Sequence, residues 1–396
     1  MATGLVIVAV NEILRRARTS TKNYWLRRTA SVAVGGAVAA IERCGAPRVA
    51  LRGTLRLVPR LKVMFFFRFK PYRLPLCTPL RTAHGLWAER EGIILRVEEA
   101  SGRVGFGEIA PIPWFGTETL AEATERLAGW RGEIDDEQIA ALPEKFGCMR
   151  FAFAQARSAM SESAAAGKLT RLPVAALLPA GRAALAALEQ KLEAGFLAFK
   201  WKVGVASPDE ELPLLDDLLA RLPAHAQLRL DANGAWNSRQ AGRWLERCAE
   251  RPIEFIEQPV APDAEATLLG LAADYPVKLA LDESLVRLAE ARHWQAQGWS
   301  GVFVMKPALA GPLSELVRWV SETKADVVLS SAIETTLARS AILRAALAGG
   351  LTTRALGFGV GEVFGDARWD GPMIGPIADA SCLALNPGEA MWNALA

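Results

Sequence analysis

From Leu172 onward, short apolar runs alternate with segments in which apolar residues recur at helical spacing. This alternation is typical of βα units, in which each buried strand is followed by a helix that covers a parallel sheet. Eight such units predict an α/β fold that closes as a (β/α)8-type (TIM-like) barrel. The predicted strands are Val174–Leu178, Ala198–Val203, Leu228–Asp231, Phe255–Glu257, Lys278–Asp282, Gly301–Lys306, Asp326–Ser330 and Arg354–Gly357.

The region from Met64 to Gly116 has a different pattern. The aromatic run Met64–Arg73 and the segments Gly92–Glu98 and Val104–Glu108 are separated by turn residues, which predicts antiparallel strands. Two segments of helical pattern follow, Leu120–Trp130 and Phe151–Ala166. We therefore expect an N-terminal α+β capping domain in front of the barrel.

These patterns divide the chain into four parts. We expect an extension over residues 1–63, the capping domain with a substrate lid loop over 64–170, the catalytic barrel over 171–375, and a C-terminal segment over 376–396 that returns toward the capping domain. The extension is rich in arginine and lacks the alternation of strands and helices. We expect it to be poorly ordered, or to result from a start codon assigned upstream of Met64. The Arg27-Arg28 pair before small apolar residues is also typical of a targeting segment.

Composition indicates a soluble globular chain. With 396 residues, of which 51% are hydrophobic and 22% charged, the chain can bury a large core. The net charge of +3 arises near the start, because residues 1–62 contain twelve Lys and Arg residues and only two acids. The remainder is mildly acidic, which gives no reason to expect a nucleic-acid partner.

The cysteines and apolar runs exclude further classes of protein. The five cysteines lie far apart without a C-x-x-C pair, so the sequence predicts neither a zinc site nor a disulfide framework. No apolar run approaches the roughly 18–20 residues of a membrane-spanning helix. We expect a cytoplasmic protein with a small-molecule substrate and without a membrane partner, either as a monomer or as a homo-oligomer.

Charged residues end five consecutive predicted strands. They lie 24 to 29 residues apart, about one βα unit, and are Lys202, Asp231, Glu257, Asp282 and Lys306. The active site of such a barrel lies at the carboxyl ends of its strands. A single acid there more often caps a helix or pairs with a surface lysine. Five buried charges in register would be costly without partners, and a bound cation removes that cost.

The three acids of this set, Asp231, Glu257 and Asp282, predict the metal. Carboxylates are hard oxygen ligands, and several of them converging from neighbouring strands favour Mg²⁺. Mn²⁺ accepts similar ligands, so we expect that it is able to substitute. Zinc is disfavoured because no histidine or cysteine shares these strand ends.

The lysines suggest the chemistry. Lys200 and Lys202 are two residues apart on a predicted strand, so both project to one face, here the barrel interior. A neighbouring ammonium and a metal ion both lower the pKa of a lysine, which makes Lys202 a candidate general base. Lys200 would tune it and is able to touch a substrate carboxylate. Lys306 lies nearly across the barrel, an arrangement suited to removing a proton from the carbon beside a carboxylate.

These motifs resemble those of the muconate-lactonizing subgroup of the enolase superfamily over about Phe65 to Gly375. The motifs are Lys200-x-Lys202, Asp231-Ala-Asn233, Glu257-Gln258-Pro259, Asp282-Glu283-Ser284 and Lys306. Within the subgroup, the segments 304–312, 329–335 and 354–359 resemble o-succinylbenzoate synthases, most of all those of cyanobacterial type. The segment Pro79–Gly92 resembles the mobile specificity loop that the capping domain of these enzymes lays over the site.

The resemblance implies a Mg²⁺-dependent dehydration of 2-succinyl-6-hydroxy-2,4-cyclohexadiene-1-carboxylate to o-succinylbenzoate, a step toward menaquinone or phylloquinone. Lys202 would remove the proton and then help the hydroxyl leave from the same face. Lys306 would stabilise the enediolate from the opposite face. The resemblance also implies that Arg229 contacts the substrate and that Asn233 orients a metal-binding carboxylate.

Further substrate contacts are expected from the rim and the lid. Ser330 and Ser331 end the seventh strand, where hydroxyl or backbone N–H groups would meet a substrate carboxylate. His84 lies in the predicted lid loop beside Trp87. A lone histidine is more often structural, so its substrate contact is the weakest of these expectations.

Two other functions remain open. An N-acylamino acid racemase or dipeptide epimerase uses the same two lysines on the same scaffold, although the chain has no Asp-x-Asp pair after the eighth strand to hold a dipeptide amine. A non-catalytic barrel, with the basic first segment binding an anionic surface, would have no need of five charged strand ends.

Overall fold

The computed structural model describes residues 64–82, 84–161, 171–348, 351–352 and 354–395. The predicted extension, its alternative as a targeting segment and the alternative start at Met64 concern residues 1–63 and lie outside the described residues. The same holds for the end of the predicted helix Phe151–Ala166 and for the predicted boundary at residue 170.

A four-stranded antiparallel sheet begins the described chain. Its strands, in the spatial order β3-β2-β1-β4, are β1 (Met64–Thr82), β2 (Gly85–Glu99), β3 (Val104–Ile109) and β4 (Glu133–Asp135). Alternate residues of β1, beginning with Phe65 and Phe67, are buried on one face. By the period of two in a strand, Tyr72 of β1 and Ile94 of β2 lie on the opposite face, where they are buried beside Met391, so both faces of the sheet are partly covered.

Helices cover the buried face of this sheet. They are α1 (Leu120–Gly129), α2 (Asp136–Ala140) and α3 (Gly147–Ser161), and a short 3₁₀ turn spans Pro113–Phe115. The backbone of β3 lies against that of α3, because a Cβ at Gly107 would stand 2.0 Å from the carbonyl oxygen of Ala152. Only glycine permits such a close approach of strand and helix.

Eight parallel strands form the second sheet. They are β5 (Leu172–Leu178), β6 (Ala198–Lys202), β7 (Gln227–Asp231), β8 (Ile253–Glu257), β9 (Leu279–Leu281), β10 (Val302–Met305), β11 (Val327–Leu329) and β12 (Leu356–Gly359). Their order is that of the chain, with β12 beside β5. A bridge between Ser330 and Gly357 joins the two ends. The predicted fold class, a (β/α)8-type barrel with an α+β capping domain, is confirmed.

Helices follow these strands on the outside of the barrel. They are α4 (Ala183–Glu193), α5 (Pro208–Arg221), α6 (Ser238–Cys248), α7 (Glu265–Asp274), α8 (Leu288–Ala296), α9 (Pro307–Ala310), α10 (Leu313–Thr323), α11 (Thr336–Leu347) and α12 (Ala367–Asp370). The barrel interior holds a small apolar cluster of Phe255, Ala280, Val302, Val304 and Val328. The charged strand ends therefore lie above this apolar cluster.

The end of the chain contacts the first sheet. After the short strand β13 (Ile377–Ala378), helix α13 (Pro387–Ala394) packs on β2 and β3. Lys70 Nζ of β1 donates to the carbonyl oxygens of Leu395 at 2.7 Å and Trp392 at 3.1 Å. Across the part of the chain that the structure describes, no helix is long and apolar enough to cross a membrane.

Candidate active site

Strand register brings the charged strand ends together. Lys202 of β6 pairs with Asp231 of β7, which in turn pairs with Glu257 of β8. Asp282 follows β9 directly, and Lys306 follows β10. All three carboxylates are buried. The structure therefore brings the three acids and the lysines on either side of them into one continuous group at the rim.

Two of the lysines are paired with these acids. Lys200 Nζ lies 2.8 Å from Asp231 Oδ2 and 2.6 Å from Glu257 Oε1. Burial alone would lower the pKa of Lys200, but the surrounding carboxylates, led by Asp231 and Glu257, raise it well above its ordinary value. Lys200 thus remains an ammonium ion. On the other side of the group, Lys306 Nζ donates to Asp282 Oδ1.

Lys202 differs from its two neighbours. Its side chain is half-buried, and its ammonium group makes no hydrogen bond or ion pair with any residue that the structure describes. A general base needs a lone pair that is not already engaged by another proton donor. Of the three lysines, Lys202 is the one whose nitrogen is available for that role.

The donor set fits a hard cation. Three buried carboxylates crowd together, and two further oxygens beside them, Asn233 Oδ1 and Glu283 Oε2, are buried without a hydrogen-bond partner. Such orphaned acceptors require a partner that binds oxygen. As the side chains stand, the described residues contain no cluster of three or more His, Cys, Asp or Glu able to hold a metal. In this arrangement the Lys200 ammonium lies between Asp231 and Glu257.

Asn233 contacts two acids at the rim, and its role in orienting a metal-binding carboxylate stays a prediction. Its backbone N–H donates to Asp231 Oδ1 at 3.2 Å, and its side-chain nitrogen donates to Glu283 Oε1 at 3.1 Å. Burial, together with the charges of Asp282 and Asp231, raises the pKa of Glu283 to about 7. Sequence reasoning gave Glu283 no role, although it stands in the quoted Asp282-Glu283-Ser284 motif.

Gln258 is a second residue that sequence reasoning missed. Its side chain is fully buried, its φ is +38°, and its Oε1 accepts the backbone N–H groups of Asp282 at 3.0 Å and Ser284 at 3.2 Å. Its Nε2 donates to Ser284 Oγ at 2.9 Å. Gln258 thus fixes the turn that carries Asp282. The signal was its place in the Glu257-Gln258-Pro259 motif.

The guanidinium of Arg229 has a partner other than the rim. Its Nε donates to Glu254 Oε2 at 2.6 Å, and the side chain is only 1% exposed. Glu254 lies at the register shift where β8 pairs with β7, and it also accepts from Arg354, which is bound to Asp326. Arg229 therefore belongs to a buried ion network deep in the barrel. The structure does not bring Arg229 to the rim group, and its substrate contact stays a prediction.

Ser330 and Ser331 lie at the rim, and both contact other groups of the protein there. Ser330 Oγ lies 3.5 Å from the carbonyl oxygen of Gly357, and Ser331 N donates to the same oxygen at 3.0 Å. Ser331 Oγ donates to Glu334 Oε2 at 3.1 Å and accepts from Ile333 N at 3.0 Å. The hydroxyl of Ser331 is thus committed to a turn, which leaves Ser330 as the freer of the two.

The predicted lid loop is a hairpin. Leu80 pairs with Trp87 and Thr82 with Gly85, so the segment forms two strands and not an irregular loop. His84 is exposed at its tip. The lid loop is expected from the family resemblance of Pro79–Gly92. Here β1 and β2 resume their pairing beyond a register shift at 75–80, and the role of this hairpin as a lid stays a prediction.

Aromatic residues connect the hairpin to the rim. The ring of Trp87 packs edge-on against Trp114, with centroids 5.0 Å apart. Next to Trp114, the ring of Phe115 lies under the ammonium group of Lys306, whose Nζ is 4.3 Å from the ring centroid. Sequence reasoning did not assign Trp114 and Phe115. Their signal was a Pro-Trp-Phe-Gly turn between a strand and a helix.

Comparison with known proteins gives a consistent picture. Residues 66–160 match the family described as MenC, N-terminal domain, and residues 183–348 match the family described as Enolase C-terminal domain-like. The chain is 43% identical over 300 residues to o-succinylbenzoate synthase from Thermosynechococcus vestitus, covering 74% of this chain and 92% of that protein. It is 30% identical to the enzyme of the same name from Edwardsiella ictaluri, over 69% and 84% of the two chains.

Solved structures agree. The crystal structure of o-succinylbenzoate synthase from Thermosynechococcus elongatus, complexed with Mg in its active site, superposes with a TM-score of 0.73 at 38% identity, covering 83% of this chain and all of that one. The L-Ala-D/L-Glu epimerase from Bacillus subtilis superposes with a TM-score of 0.65 at 21% identity, over 74% and 89% of the two chains. The second similarity concerns the fold alone.

Proposed function

Because this chain belongs to the o-succinylbenzoate synthases of the enolase superfamily, we propose that its rim lysines and carboxylates carry out the dehydration that forms o-succinylbenzoate. The enzyme is a hydro-lyase: a C–H and a C–O bond of the substrate break, a C=C bond forms, and water leaves. The observation that carries the assignment of roles is that, among the three rim lysines, the side-chain nitrogen of Lys202 alone has no hydrogen bond or ion pair with a described residue.

Lys202 is the base in this proposal. Its neutral Nζ takes the proton from the carbon beside the carboxylate of 2-succinyl-6-hydroxy-2,4-cyclohexadiene-1-carboxylate. The resulting ammonium then donates that proton to the departing hydroxyl on the same face, which completes a syn elimination. Lys200 supports this role electrostatically, because it keeps a second positive charge two residues away on the same face of β6.

Lys306 acts from the other side of the site. Its ammonium group, held by Asp282 and covered by Phe115, is oriented toward the charge that develops on the substrate carboxylate. A preorganised donor in a site shielded from water stabilises such charge more than an exposed one does. Lys306 therefore stabilises the transition state and transfers no proton in the forward reaction.

Asp231, Glu257 and Asp282 would hold Mg²⁺, with Mn²⁺ as a substitute. The metal supplies Lewis-acid stabilisation of the substrate carboxylate. The oxygen-only donor set, the orphaned oxygens of Asn233 and Glu283, and the Mg described for the Thermosynechococcus elongatus enzyme support this assignment. Asn233 orients Asp231 through its backbone N–H.

The remaining substrate contacts are proposed at the ends of β11 and of the hairpin. The side chain of Ser330 and neighbouring backbone N–H groups suit a carboxylate, and Trp87 and His84 cover the opening. The product is proposed to enter menaquinone or phylloquinone synthesis in the cytoplasm.

The direct test is a spectrophotometric dehydration assay with the cyclohexadiene substrate, with and without Mg²⁺ and after chelation by EDTA. We expect turnover that disappears with EDTA and returns with Mg²⁺. The same protein is also incubated with an N-succinylamino acid, and racemisation is followed by loss of optical rotation. Racemisation without dehydration in folded, Mg²⁺-loaded protein would replace the proposal by N-acylamino acid racemase activity.

A further inference from the structure

Arg90 is a buried cation without a carboxylate partner. It lies in β2 at the base of the hairpin, three residues after Trp87, and is only 1% exposed. No ion pair joins it to any described residue. Its guanidinium instead donates only to backbone carbonyl oxygens, which is unusual because a buried guanidinium is normally paired with a carboxylate.

Those carbonyls belong to two separate segments, one before the turn that carries Phe115 and one after the end of β11. Arg90 Nη1 donates to Pro111 O at 2.7 Å, and Nη2 donates to Ala110 O, just before the turn that carries Phe115. Arg90 Nε donates to Ile333 O at 3.0 Å, in the turn that follows Ser330 and Ser331. One side chain of the capping domain thus ties the segment over Lys306 to the turn at the end of β11.

The backbone of Ile333, in the second of these segments, is strained. Its φ is +58°, a left-handed conformation that a β-branched residue rarely adopts because its side chain crowds the backbone. Strain of this kind persists only where surrounding contacts determine it, and it clusters at functional sites. Here the contacts are Ser331 Oγ, which accepts from Ile333 N, and Arg90, which binds Ile333 O.

We propose that Arg90 is a positioning residue for the reaction, which holds the turn Ser331–Glu334 in its strained form and the 110–115 segment in register with it. Through these two segments Arg90 sets where Ser330 meets the substrate and where Phe115 lies against Lys306. The inference rests on the proposed function, which assigns Ser330 and Lys306 their roles. Arg90 itself touches neither substrate nor metal ligands.

The test compares Arg90→Met and Arg90→Lys with Arg96→Met. Arg96 lies on the same strand and pairs with Glu98 at 3.0 Å, away from both turns. We expect kcat/KM for dehydration to fall by about 10- to 100-fold in both Arg90 variants, because a displacement of about 1 Å suffices for such a loss. Arg90→Lys should not rescue, since a single ammonium nitrogen cannot occupy both the Nε position that binds Ile333 O and the Nη positions that bind Ala110 O and Pro111 O. Arg96→Met should resemble the wild type.

Two readouts separate positioning from general damage. The Mg²⁺ concentration that gives half-maximal activity should stay unchanged in Arg90→Met, because the carboxylates lie on other strands. Adding Ile333→Gly to Arg90→Met should restore part of the lost kcat/KM, since glycine adopts positive φ freely, whereas Ile333→Ala should not. Wild-type kinetics in Arg90→Met, or a weakening of Mg²⁺ affinity as large as the loss of turnover, would overturn the inference.

Hydrogen exchange tests the same inference independently of the substrate. Amides of residues 331–336 should exchange faster in Arg90→Met than in Arg96→Met or wild type. If neither wild type nor Arg96→Met dehydrates the cyclohexadiene, the proposed function fails, and exchange at 331–336 still decides the role of Arg90. Unchanged exchange there would refute it.

Discussion

Lys200 Nζ lies 2.6 Å from Glu257 Oε1, and the same ammonium group reaches the carboxylate of the neighbouring strand end. The positive charge of Lys200 thus offsets part of the negative charge of the acids that crowd the rim. We therefore expect the fold not to depend on a bound cation, unlike that of a structural zinc site.

Removal of Lys200 should therefore matter most in the absence of metal. We expect Lys200→Met to lower the free energy of unfolding by about 3–5 kcal/mol in EDTA, because Asp231 and Glu257 remain buried without a cation. Saturating Mg²⁺ should recover much of the loss. Urea denaturation under both conditions measures it, with Lys145→Met, which loses an exposed pair with Glu122 and a contact with the Phe146 ring, as control. Equal losses with and without Mg²⁺ would contradict the account.

Glu254 should support stability and not substrate binding. Glu254→Gln leaves the buried Arg229 without its counter-charge, so we expect a loss of about 3–5 kcal/mol in unfolding free energy. Arg229→Met should likewise lower stability while leaving KM unchanged. The control Glu189→Gln removes only an exposed pair with Arg221. A raised KM in a stable Arg229→Met protein would instead restore Arg229 as a substrate contact.

Phe115 should contribute through its ring. A cation–π contact is worth about 0.5–2 kcal/mol, so Phe115→Leu should lower kcat/KM by about 2- to 30-fold through the orientation of Lys306. Phe115→Tyr keeps the aromatic face and should retain most activity. Steady-state kinetics of the two variants measure the difference. Equal activity of Leu and Tyr variants would show that bulk alone is needed at this position.

The barrel and its charged rim could be predicted because parallel strands bury both faces, so that each apolar run ends in a conspicuous polar residue. Strand parity predicted that Lys200 and Lys202 face the barrel interior, and the structure places the Lys200 ammonium beside Asp231. Strand parity could not reveal the ion pair between Arg229 and Glu254, because Glu254 reaches the interior only through a register shift.

The capping domain was less predictable, since its form depends on contacts between segments distant in the chain. The lid loop expected over Pro79–Gly92 forms a hairpin, in which Leu80 pairs with Trp87 beyond a register shift. Phe115 acquires its role only when the turn that carries it is folded over Lys306. In the sequence, nothing distinguishes Arg90 from other arginines near a polar strand end. Its contacts with the carbonyl oxygens of Pro111 and Ile333 form only in the folded protein.

The central claim is that Lys202 is the base, and its test is single-turnover dehydration of the cyclohexadiene substrate by wild type, Lys202→Ala and Lys324→Ala with saturating Mg²⁺. Lys324 is exposed at the end of α10 and serves as the matched control. We expect Lys202→Ala to lose about 10²–10⁴-fold or more in rate while Lys324→Ala matches wild type. A folded, Mg²⁺-binding Lys202→Ala protein that dehydrates the substrate at the wild-type rate would contradict the claim.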